Sequence, residues 1–377
     1  MTMFDHEDNL SAIQQNIALG QKLAIVHRTL QAHYPFISRI AAALYDPKTD
    51  MLKTFVHSSG ADQPLLHYQA RLSDASSLQE IVRTGNPRVV NDLSIFDEGE
   101  KLHTQQVKKQ GYLSSYTMPM FVRGTLFGFL FFNSYQAAPF TEEVLQQLDP
   151  YGHLIALTII NDLTSVQTML ATVQTARDMA HLHNDETGAH QDRMSRFARL
   201  IARRIAARHK LSDEYIENVF IFSVLHDIGK MGIPDNILLK PAALTEDEFS
   251  QMKLHTTKGR KLIDQLVANF DMGAMPNIDI LRNIAELHHE AMDGSGYPYG
   301  RKGEEIPIEA RITTVADVFD ALTSRRPYKE PWSNDDAFAA ITQLSGIKFD
   351  PDCVAALIDG RQEIEEIQRQ FRENSAG

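Results

Sequence analysis

Residues 219–230 read VFIFSVLHDIGK, so the pair His226-Asp227 directly follows an apolar segment and precedes Gly229-Lys230. Because residues 219–225 are strongly apolar, we expect them to form a buried helix with the polar pair at its inner end. A buried imidazole or carboxylate is costly unless it is hydrogen-bonded or binds a cation. The stretch therefore predicts a helical domain with a polar site in its core.

Helical patterning continues on both sides of this stretch, from about residue 183 onward. Apolar residues recur at helical spacing in segments near 190–209, 213–228, 245–268, 277–289 and 309–324. Thr245 and Glu248 have the spacing of a capping box, which marks the start of a helix. These segments predict an all-α domain over residues 185–377.

Histidines and acidic residues in this domain have the spacing of metal ligands. Glu186 and His190 lie four residues apart, which places both on one face of a helix. The full set of candidate ligands is Glu186, His190, His226, Asp227, His255, His288, His289 and Asp317. Taken singly, a histidine on an apolar face is more often a hydrogen-bonded core residue, and Asp320 is an alternative to Asp317. Taken together, the candidates exceed the needs of one ion, and ligation without thiolates is typical of iron or manganese, so we expect two or three divalent metal ions.

The motifs of this domain resemble those of the HD-GYP branch of the HD phosphohydrolases. The resemblance spans about residues 186–349 and includes, in order, HDIGK at 226–230, IPD at 233–235, HHE at 288–290, DGSGYP at 293–298 and ADVFDAL at 316–322. It implies an all-α HD-type catalytic domain in which the candidate ligands hold metal. It further implies that Asp227 bridges two ions and that Glu186 accompanies a third.

Members of this family hydrolyse cyclic di-GMP to linear pGpG and often continue to GMP. Two divalent ions can activate water and neutralise charge on a phosphoryl group, which suits a diester substrate. The resemblance implies that Lys230 contacts the scissile phosphate and is a catalytic residue together with Asp227. Further contacts with the substrate are implied for Arg326, Lys329, Tyr297 and Gly294.

Two other functions stay open beside this phosphodiesterase. One is a cyclic-dinucleotide receptor with little turnover, and the other is an HD hydrolase of another cyclic dinucleotide such as cyclic GMP-AMP. Ala291-Met292 stand where the family often has an Arg-Trp pair, and Thr256 stands where proline is frequent. Residues 266–277 form a longer connection than many members have. These departures concern pocket shape and nucleotide preference.

The first part of the sequence has a different texture, with short strands and turns over residues 36–133. Segments 36–45 and 51–57 predict one hairpin, and segments 115–122 and 125–133 predict a second around Arg123-Gly124. We therefore expect an α+β sensory domain over residues 1–160, which makes the chain multidomain.

This α+β domain resembles a GAF domain over about residues 21–160, through its strand order and the run that includes Met118-Pro119, Gly124 and Phe140. The resemblance implies a regulatory domain and leaves its ligand unspecified. The single cysteine, Cys353, excludes a thioether-linked bilin in this domain. His57, His67 and His103 are candidate haem or metal ligands, although each is more typical of an ordinary surface histidine.

A long helix is predicted from about residue 141 to 181, and its residues 161–184 would form a linker between the domains. Apolar residues from Leu145 to Ala180 recur about every 3.5 positions, the period of a coiled-coil seam between two chains. A homodimer through this linker helix and the sensory domain is therefore expected. The alternative is a helix that packs on its own domain.

The composition is that of a globular protein, with 43% hydrophobic and 23% charged residues among 377. A net charge of −12 argues against binding of a nucleic-acid polymer, which requires a basic face. The first ten residues lack a signal-peptide pattern, and no uninterrupted apolar run approaches the ~20 residues of a membrane span. We expect a cytoplasmic protein without membrane insertion, with cyclic di-GMP and diguanylate-cyclase-type proteins as candidate partners.

Overall fold

The computed structural model describes residues 8–59, 67–93, 110–179, 188–270, 276–325 and 330–372. The chain divides into two units between Gln167 and Thr168. The first unit contains a sheet with flanking helices, and the second is helical in its described residues. The expected multidomain fold class, α+β followed by all-α, is confirmed.

An antiparallel sheet forms the centre of the first unit. Its described strands are β1 (Arg39–Asp46), β2 (Met51–Ser59), β3 (Gln69–Arg71), β4 (Arg88–Val90), β5 (Ser114–Val122) and β6 (Thr125–Ser134). They are arranged in the order β3-β2-β1-β6-β5-β4. Both predicted hairpins are present, as β1-β2 and β5-β6. Arg123 and Gly124 join the second hairpin with positive φ angles of 50° and 81°, as a tight type I′ turn requires.

The helices of this unit cover both faces of the sheet. They are α1 (Leu19–His33), α2 (Ser76–Thr84) and α3 (Glu142–Met179). Gly152 of α3 packs so closely on β5 that a Cβ atom there would lie 2.2 Å from Sδ of Met118. The Tyr116 hydroxyl on the same face donates to Asp149 of α3. On the opposite face, α2 packs through Leu78 against a cluster that includes Phe129.

The apolar seam of α3 is buried within a single chain. Five of its residues within the first unit are at most 4% exposed, namely Leu148, Ile155, Ile159, Leu163 and Val166. Ile155 and Ile159 line a small cavity together with Leu23 and Val26 of α1. For this part of the helix the burial favours the second interpretation of the seam, a helix packed on its own domain. Dimerisation stays a prediction.

By length and composition alone, Glu142–Val173 of α3 passes as a membrane span, with a mean hydropathy of 1.4. The apolar runs of the sequence do not indicate such a span, because polar residues interrupt the helix. One such helix is weak evidence for a span, because mostly buried core helices of globular proteins pass the same test; 28% of the apolar window of this helix is buried. Among the described residues this is the one helix with that property.

The helical unit follows the predicted segments with two differences. Its described helices are α4 (Gly188–His209), α5 (Asp213–Ser223), α6 (Asp235–Leu238), α7 (Glu246–Lys253), α8 (His255–Asn269), α9 (Ile278–Leu287), α10 (Ile308–Thr323), α11 (Asn334–Gln343), α12 (Pro351–Asp359) and α13 (Arg361–Gln370). The capping box of Thr245 and Glu248 is present at α7. The predicted helix 213–228 ends at Ser223, and the predicted helix 245–268 breaks at Leu254.

Both breaks place ligand candidates at helix ends rather than within helices. After Ser223 the chain turns and enters the short 3₁₀ helix Ile228–Gly232, so His226 and Asp227 lie in the turn. The break at Leu254 makes His255 the first residue of α8. His255 therefore does not share a continuous helix face with Phe249, which is 47% exposed.

Candidate metal centre

Two clusters of imidazole and carboxylate groups lie in the helical unit, and within each the candidate ligand atoms are within 4.8 Å of one another. The first cluster comprises Asp227, His255, His288 and His289, and the second comprises His190, His226 and Asp317. Nε2 of His226 lies 3.1 Å from Oδ2 of Asp227, which joins the two clusters. The structure thus brings seven of the predicted ligands together.

Six other candidate residues are not part of these clusters. Glu186, Arg326 and Lys329 lie outside the described residues, as does His103 of the first unit. His57 and His67 are described, and neither joins a metal-binding cluster among the described residues. Seven of the eight candidate ligands therefore lie in the two clusters.

A close contact between two glycines positions Asp227 beside His255. A Cβ atom on Gly229 would lie 1.8 Å from the carbonyl oxygen of His255 and 2.4 Å from the backbone nitrogen of Gly259. No side chain fits there, so only glycine lets the 3₁₀ helix after Asp227 pack directly on α8. As a result, Oδ1 of Asp227 lies 3.1 Å from Nε2 of His255.

Four of the histidines have their second ring nitrogen fixed by an acceptor. Three Nδ1 atoms lie 2.8–2.9 Å from backbone carbonyl oxygens, and the fourth lies 2.7 Å from a carboxylate; the pairs are His226 with Ser223, His255 with Met252, His288 with Ile284, and His190 with Asp320. Because these oxygens only accept, Nδ1 carries the proton and Nε2 keeps its lone pair. This is the arrangement found in metal-ligating histidines.

The lone pairs converge on a buried point. Nε2 of His255 and Nε2 of His288 lie 3.1 Å and 3.8 Å from Oδ1 of Asp227. All three atoms are buried, and none makes a hydrogen bond in the described part of the chain. Buried acceptors without donors are costly, and a cation relieves that cost. The donor set of imidazole and carboxylate therefore fits one or more divalent metal ions.

The protonation states suit metal binding. Burial disfavours the charged carboxylate of Asp227, but Lys230 and His226 outweigh burial and hold its pKa well below the usual range. Burial lowers the pKa of His288 well below its usual value and lowers the pKa of His289 to about 4. At neutral pH the carboxylate is therefore ionised and both imidazoles are neutral, the forms that ligate metal.

Lys230 and Tyr297 border the first cluster. Nζ of Lys230 lies 2.7 Å from Oδ2 of Asp227, and the lysine side chain remains 24% exposed. The ring of Tyr297 lies 4.8 Å from that of His289, and its backbone N–H donates to the His289 carbonyl at 3.1 Å. Burial raises the pKa of the Tyr297 hydroxyl, which therefore stays protonated at neutral pH.

The loop that carries Tyr297 is anchored by the residue after His289. The Glu290 carboxylate accepts the backbone N–H groups of Tyr299 at 2.8 Å and Arg301 at 3.0 Å. A Cβ on Gly296 would lie 2.5 Å from Cα of Glu290, so glycine is needed for this close approach. Gly294 has a φ of +83°, so its conformational freedom shapes the turn. The Tyr297-Pro298 peptide bond is cis.

Sequence reasoning missed Arg193 and the supporting role of Asp320. Asp320 is fully buried and accepts from Nε and Nη2 of Arg193 at 2.7 and 3.0 Å as well as from His190. It is thus the partner of a ligand and not an alternative to Asp317, which lies 3.9 Å from Nε2 of His190. Helical spacing could have pointed to both residues. Arg193 lies three residues after His190, and Asp320 lies three residues after Asp317, so each shares a helix face with a candidate ligand.

Comparison with known proteins gives two family matches. The family model described as HD domain matches residues 174–353, and the model described as GAF domain matches residues 21–159. Among solved structures, the phycocyanobilin-bound GAF domain from a cyanobacterial phytochrome aligns with 42% of this chain and 96% of its own, at 16% identity and a TM-score of 0.34. A likeness at that score bears on neither ligand nor activity.

Several curated relatives match between half and two thirds of this chain. The cyclic di-GMP phosphodiesterase response regulator RpfG of Xanthomonas campestris pv. campestris is 47% identical over 191 residues, 50% of this chain and 47% of its own. A cyclic di-GMP phosphodiesterase of Thermotoga maritima is 37% identical over 230 residues, 61% of this chain and 60% of its own. The 3'3'-cGAMP-specific phosphodiesterase 2 of Vibrio cholerae is 32% identical over 230 residues, 58% of this chain and 41% of its own.

The chain spans about half the length of the curated relatives it matches. The two family matches agree with the architecture, in which a sheet-containing unit precedes a helical unit that holds the imidazole and carboxylate clusters. The chain therefore combines a GAF-like α+β domain, matched at residues 21–159, with a helical HD domain region, matched at residues 174–353.

Proposed function

We propose that this protein is a metal-dependent phosphodiesterase that hydrolyses cyclic di-GMP to pGpG, with GMP as the product of a second cleavage. The observation that carries the proposal is the convergence of buried acceptor atoms from Asp227, His255 and His288, with Lys230 at their edge. Relatives named cyclic di-GMP phosphodiesterases, at 37% to 47% identity, support this choice of substrate.

The two clusters would hold two divalent metal ions, iron or alternatively manganese. Asp227 is the proposed bridge, because its Oδ1 faces His255 and its Oδ2 faces His226. Glu186 is the proposed ligand of a third ion. When bound, these ions supply Lewis acidity and an activated water at the scissile phosphodiester.

The chain's own residues would position the diester and handle charge. Lys230 presents an ammonium group beside Asp227, where it can stabilise charge on the phosphoryl oxygens or give a proton to the leaving 3′-oxygen. Tyr297 would line the pocket through its ring next to His289. Arg326 and Lys329 are proposed to hold phosphate, and Gly294 to shape the loop. Such a local positive set allows an anionic substrate despite the net charge of −12.

A second candidate substrate is 3'3'-cGAMP, because relatives specific for that dinucleotide also match this chain. The Ala291-Met292 pair is compatible with this second substrate. Ala291 is 6% exposed. Met292 packs against Leu287, Ile306 and Ala310, next to the loop formed by residues 293–298. Neither side chain offers the base-stacking or charged group of an Arg-Trp pair, so nucleotide selection must come from elsewhere in the pocket. A receptor that binds without turnover is the remaining alternative.

Regulation and assembly form the rest of the proposal. The GAF domain, within residues 1–160, would control the catalytic domain at 185–377 through the linker at 161–184. The protein would be cytoplasmic and dimeric, and sedimentation of the full chain should show the dimer at tens of micromolar. Ile159 and Val166 are at most 2% exposed in one chain, so charging them would disrupt the GAF domain rather than test dimerisation.

The function is tested by product analysis with anaerobically purified protein. Cyclic di-GMP and 3'3'-cGAMP are supplied separately at equal concentration, and products are separated by chromatography. We expect pGpG to form faster from cyclic di-GMP than any product forms from 3'3'-cGAMP. Faster cleavage of 3'3'-cGAMP would favour the second substrate, and tight binding of both without products would favour the receptor.

A further inference from the structure

We propose that Lys253 and Phe249 of α7 form a subsite for one guanine base of the substrate, at the edge of the metal centre. The inference deepens the proposed phosphodiesterase function and rests on it. It assigns the choice of base to two residues that are not among the candidate metal ligands. It depends on the position of Lys253 over two aromatic rings and on the exposure of Phe249.

Helix α7 contributes no buried side chain to the core, although it directly precedes a candidate metal ligand. None of its residues from Glu246 to Lys253 is buried. The helix ends at Leu254, and His255 follows as the first residue of α8. Phe249 is 47% exposed, so core packing does not account for an aromatic residue at this position. The Phe249 ring is therefore available for a contact outside the core.

The ammonium group of Lys253 lies over two aromatic rings, those of Phe249 and Tyr297. Its Nζ atom is 4.8 Å from the centre of the Phe249 ring and 5.4 Å from the centre of the Tyr297 ring. Phe249 and Lys253 are four residues apart on α7, the spacing at which helix side chains meet. Both distances are within the ~6 Å range of a cation–π contact, so the two rings position the ammonium group.

Tyr297 connects this lysine to the metal centre. The Tyr297 ring lies 4.8 Å from the ring of His289, a candidate ligand of the first cluster. Lys253 contacts the same tyrosine ring, so one aromatic ring separates its ammonium group from that ligand. Lys230 lies at the cluster itself, beside Asp227. A diester at the cluster would meet Lys230 at its scissile phosphate, and Lys253 would lie farther out, where a base of the same dinucleotide is expected.

The chemistry of this pair suits guanine better than adenine or phosphate. Guanine presents two adjacent acceptors, O6 and N7, whereas adenine presents N7 next to an amino donor. An ammonium group only donates, so Lys253 favours the guanine edge. The exposed ring of Phe249 offers a surface on which a flat base stacks, a contact that a phosphate does not make. This subsite would supply the base selection that the Ala291-Met292 pair does not provide.

The test uses 3'3'-cGAMP, which contains one guanine and one adenine and therefore has two different phosphodiester bonds. Water adds to phosphorus, and the bond to one 3′-oxygen breaks as that oxygen takes a proton. Loss of the guanosine 3′-oxygen gives pApG, and loss of the adenosine 3′-oxygen gives pGpA. If Lys253 binds the guanine, the dinucleotide is held in one orientation. One product should then exceed the other by about tenfold, the discrimination of one good base contact.

Lys253→Met removes the ammonium group but keeps an apolar stem at a partly exposed position, so the fold should be retained. With excess holoenzyme, this variant should form the two linear products in nearly equal amounts, as separated by chromatography. It should also lower kcat/KM for cyclic di-GMP by about tenfold. Lys253→Arg, whose guanidinium also donates to O6 and N7, should retain the wild-type product ratio.

Two further variants separate stacking from base choice. Phe249→Leu should weaken both dinucleotides to the same extent, because stacking on an aromatic ring does not discriminate between purines. Lys261→Met is the matched control, since Lys261 is an exposed lysine on α8. It should leave both the rates and the product ratio unchanged.

An unchanged product ratio in Lys253→Met would overturn the inference, and a uniform loss of rate at that ratio would assign Lys253 to a phosphate instead. Equal amounts of both products from wild type would also overturn it. Failure of the phosphodiesterase proposal is distinguishable, because wild type would then form no product from cyclic di-GMP. If 3'3'-cGAMP is not cleaved, dissociation constants of cyclic di-GMP and cyclic di-AMP replace the product ratio. A wild-type preference between these two that persists in Lys253→Met would then overturn the subsite.

Discussion

Nδ1 of His190 lies 2.7 Å from Oδ2 of Asp320, a fully buried carboxylate one helical turn beyond Asp317. The same carboxylate accepts two hydrogen bonds from Arg193, so its position is fixed from two sides. Asp320 thereby holds the imidazole with Nε2 directed toward Asp317. We therefore expect Asp320 to be a positioning residue for the second cluster, which would act on a bound metal ion through His190.

Loss of the Asp320 charge should weaken metal binding. Asp320→Asn keeps the shape of the side chain but removes the charge that orients His190 and neutralises Arg193. We expect metal affinity to fall about 10–100-fold, the usual effect of removing the partner of a ligating histidine. Chelator competition, at a temperature where the variant remains folded, measures this. Asp359→Asn, at an exposed position at the end of α12, is the control, and unchanged affinity in Asp320→Asn would refute the positioning role.

A methyl group at Gly229 should separate Asp227 from His255. The added Cβ of Gly229→Ala would meet the His255 carbonyl oxygen at 1.8 Å, so the 3₁₀ helix must move away from α8. We expect a loss of at least about 1–3 kcal/mol of stability, as for other overpacked sites, together with reduced metal content. Calorimetry and elemental analysis measure the two effects.

Gly188→Ala provides the matched comparison for that substitution. A Cβ at Gly188 meets no atom within 4 Å, and Gly188 lies at the start of α4. The change there should leave metal content unaltered and stability unchanged or slightly raised, because alanine favours helix. If Gly229→Ala behaved like Gly188→Ala, the packing account of the Asp227 site would be wrong.

Substitutions of Asp227 and Lys230 should differ in their effects on metal content and on turnover. Asp227→Ala removes the proposed bridge, so both activity and metal content should fall. Lys230→Ala should keep nearly all its metal while kcat falls about 10²–10³-fold, as when one preorganised charge-stabilising group is removed. Rates of pGpG formation and metal content of the same samples give the comparison, with exposed Lys261→Ala as control. Wild-type rates in both variants would exclude the proposed site.

The GAF domain should lose stability on mild acidification through His27. Burial lowers the pKa of His27 below 6.5, an effect only partly offset by the Ile37 carbonyl at 2.9 Å from Nε2. The unfolded chain therefore binds this proton more readily than the folded domain. The contribution of His27 is fully present above about pH 6.5 and is lost as pH falls toward the folded pKa.

This loss of stability can be measured by calorimetry of the full chain between pH 7.5 and 5.5. The temperature at which the GAF domain unfolds should fall as the pH is lowered. His27→Gln should make that transition less dependent on pH, because the glutamine does not titrate. His33→Gln, at an exposed position on the same helix, should retain the wild-type dependence. An identical pH profile for His27→Gln and wild type would contradict the assignment.

The candidate metal ligands can be picked out from the sequence because imidazole and carboxylate groups are rare next to apolar segments. His226, Asp227 and His288 stand out in this way, and the structure brings them together. The supporting pair cannot be found so easily, since Arg193 and Asp320 are 127 residues apart and meet only in the folded chain. Helical spacing shows that each lies near a ligand, but not that they face each other.

Helix ends show a second limit of sequence patterns. Apolar periodicity continues past Ser223 and Leu254, so it predicts longer helices than the structure contains. The turn after Ser223 is stabilised by the contact of Gly229 with Gly259, which is a tertiary interaction. Likewise, the period of the α3 seam does not reveal which surface covers it, and Ile155 and Ile159 turn out to line a cavity with α1.

Elemental analysis of anaerobically purified protein measures whether the HD domain holds a multinuclear metal site. The described clusters supply four and three ligands, which is sufficient for two ions joined by Asp227. We predict at least two tightly bound iron or manganese ions per chain. At most one tightly bound metal ion per chain, in protein that is folded and prepared without oxygen, would contradict the account.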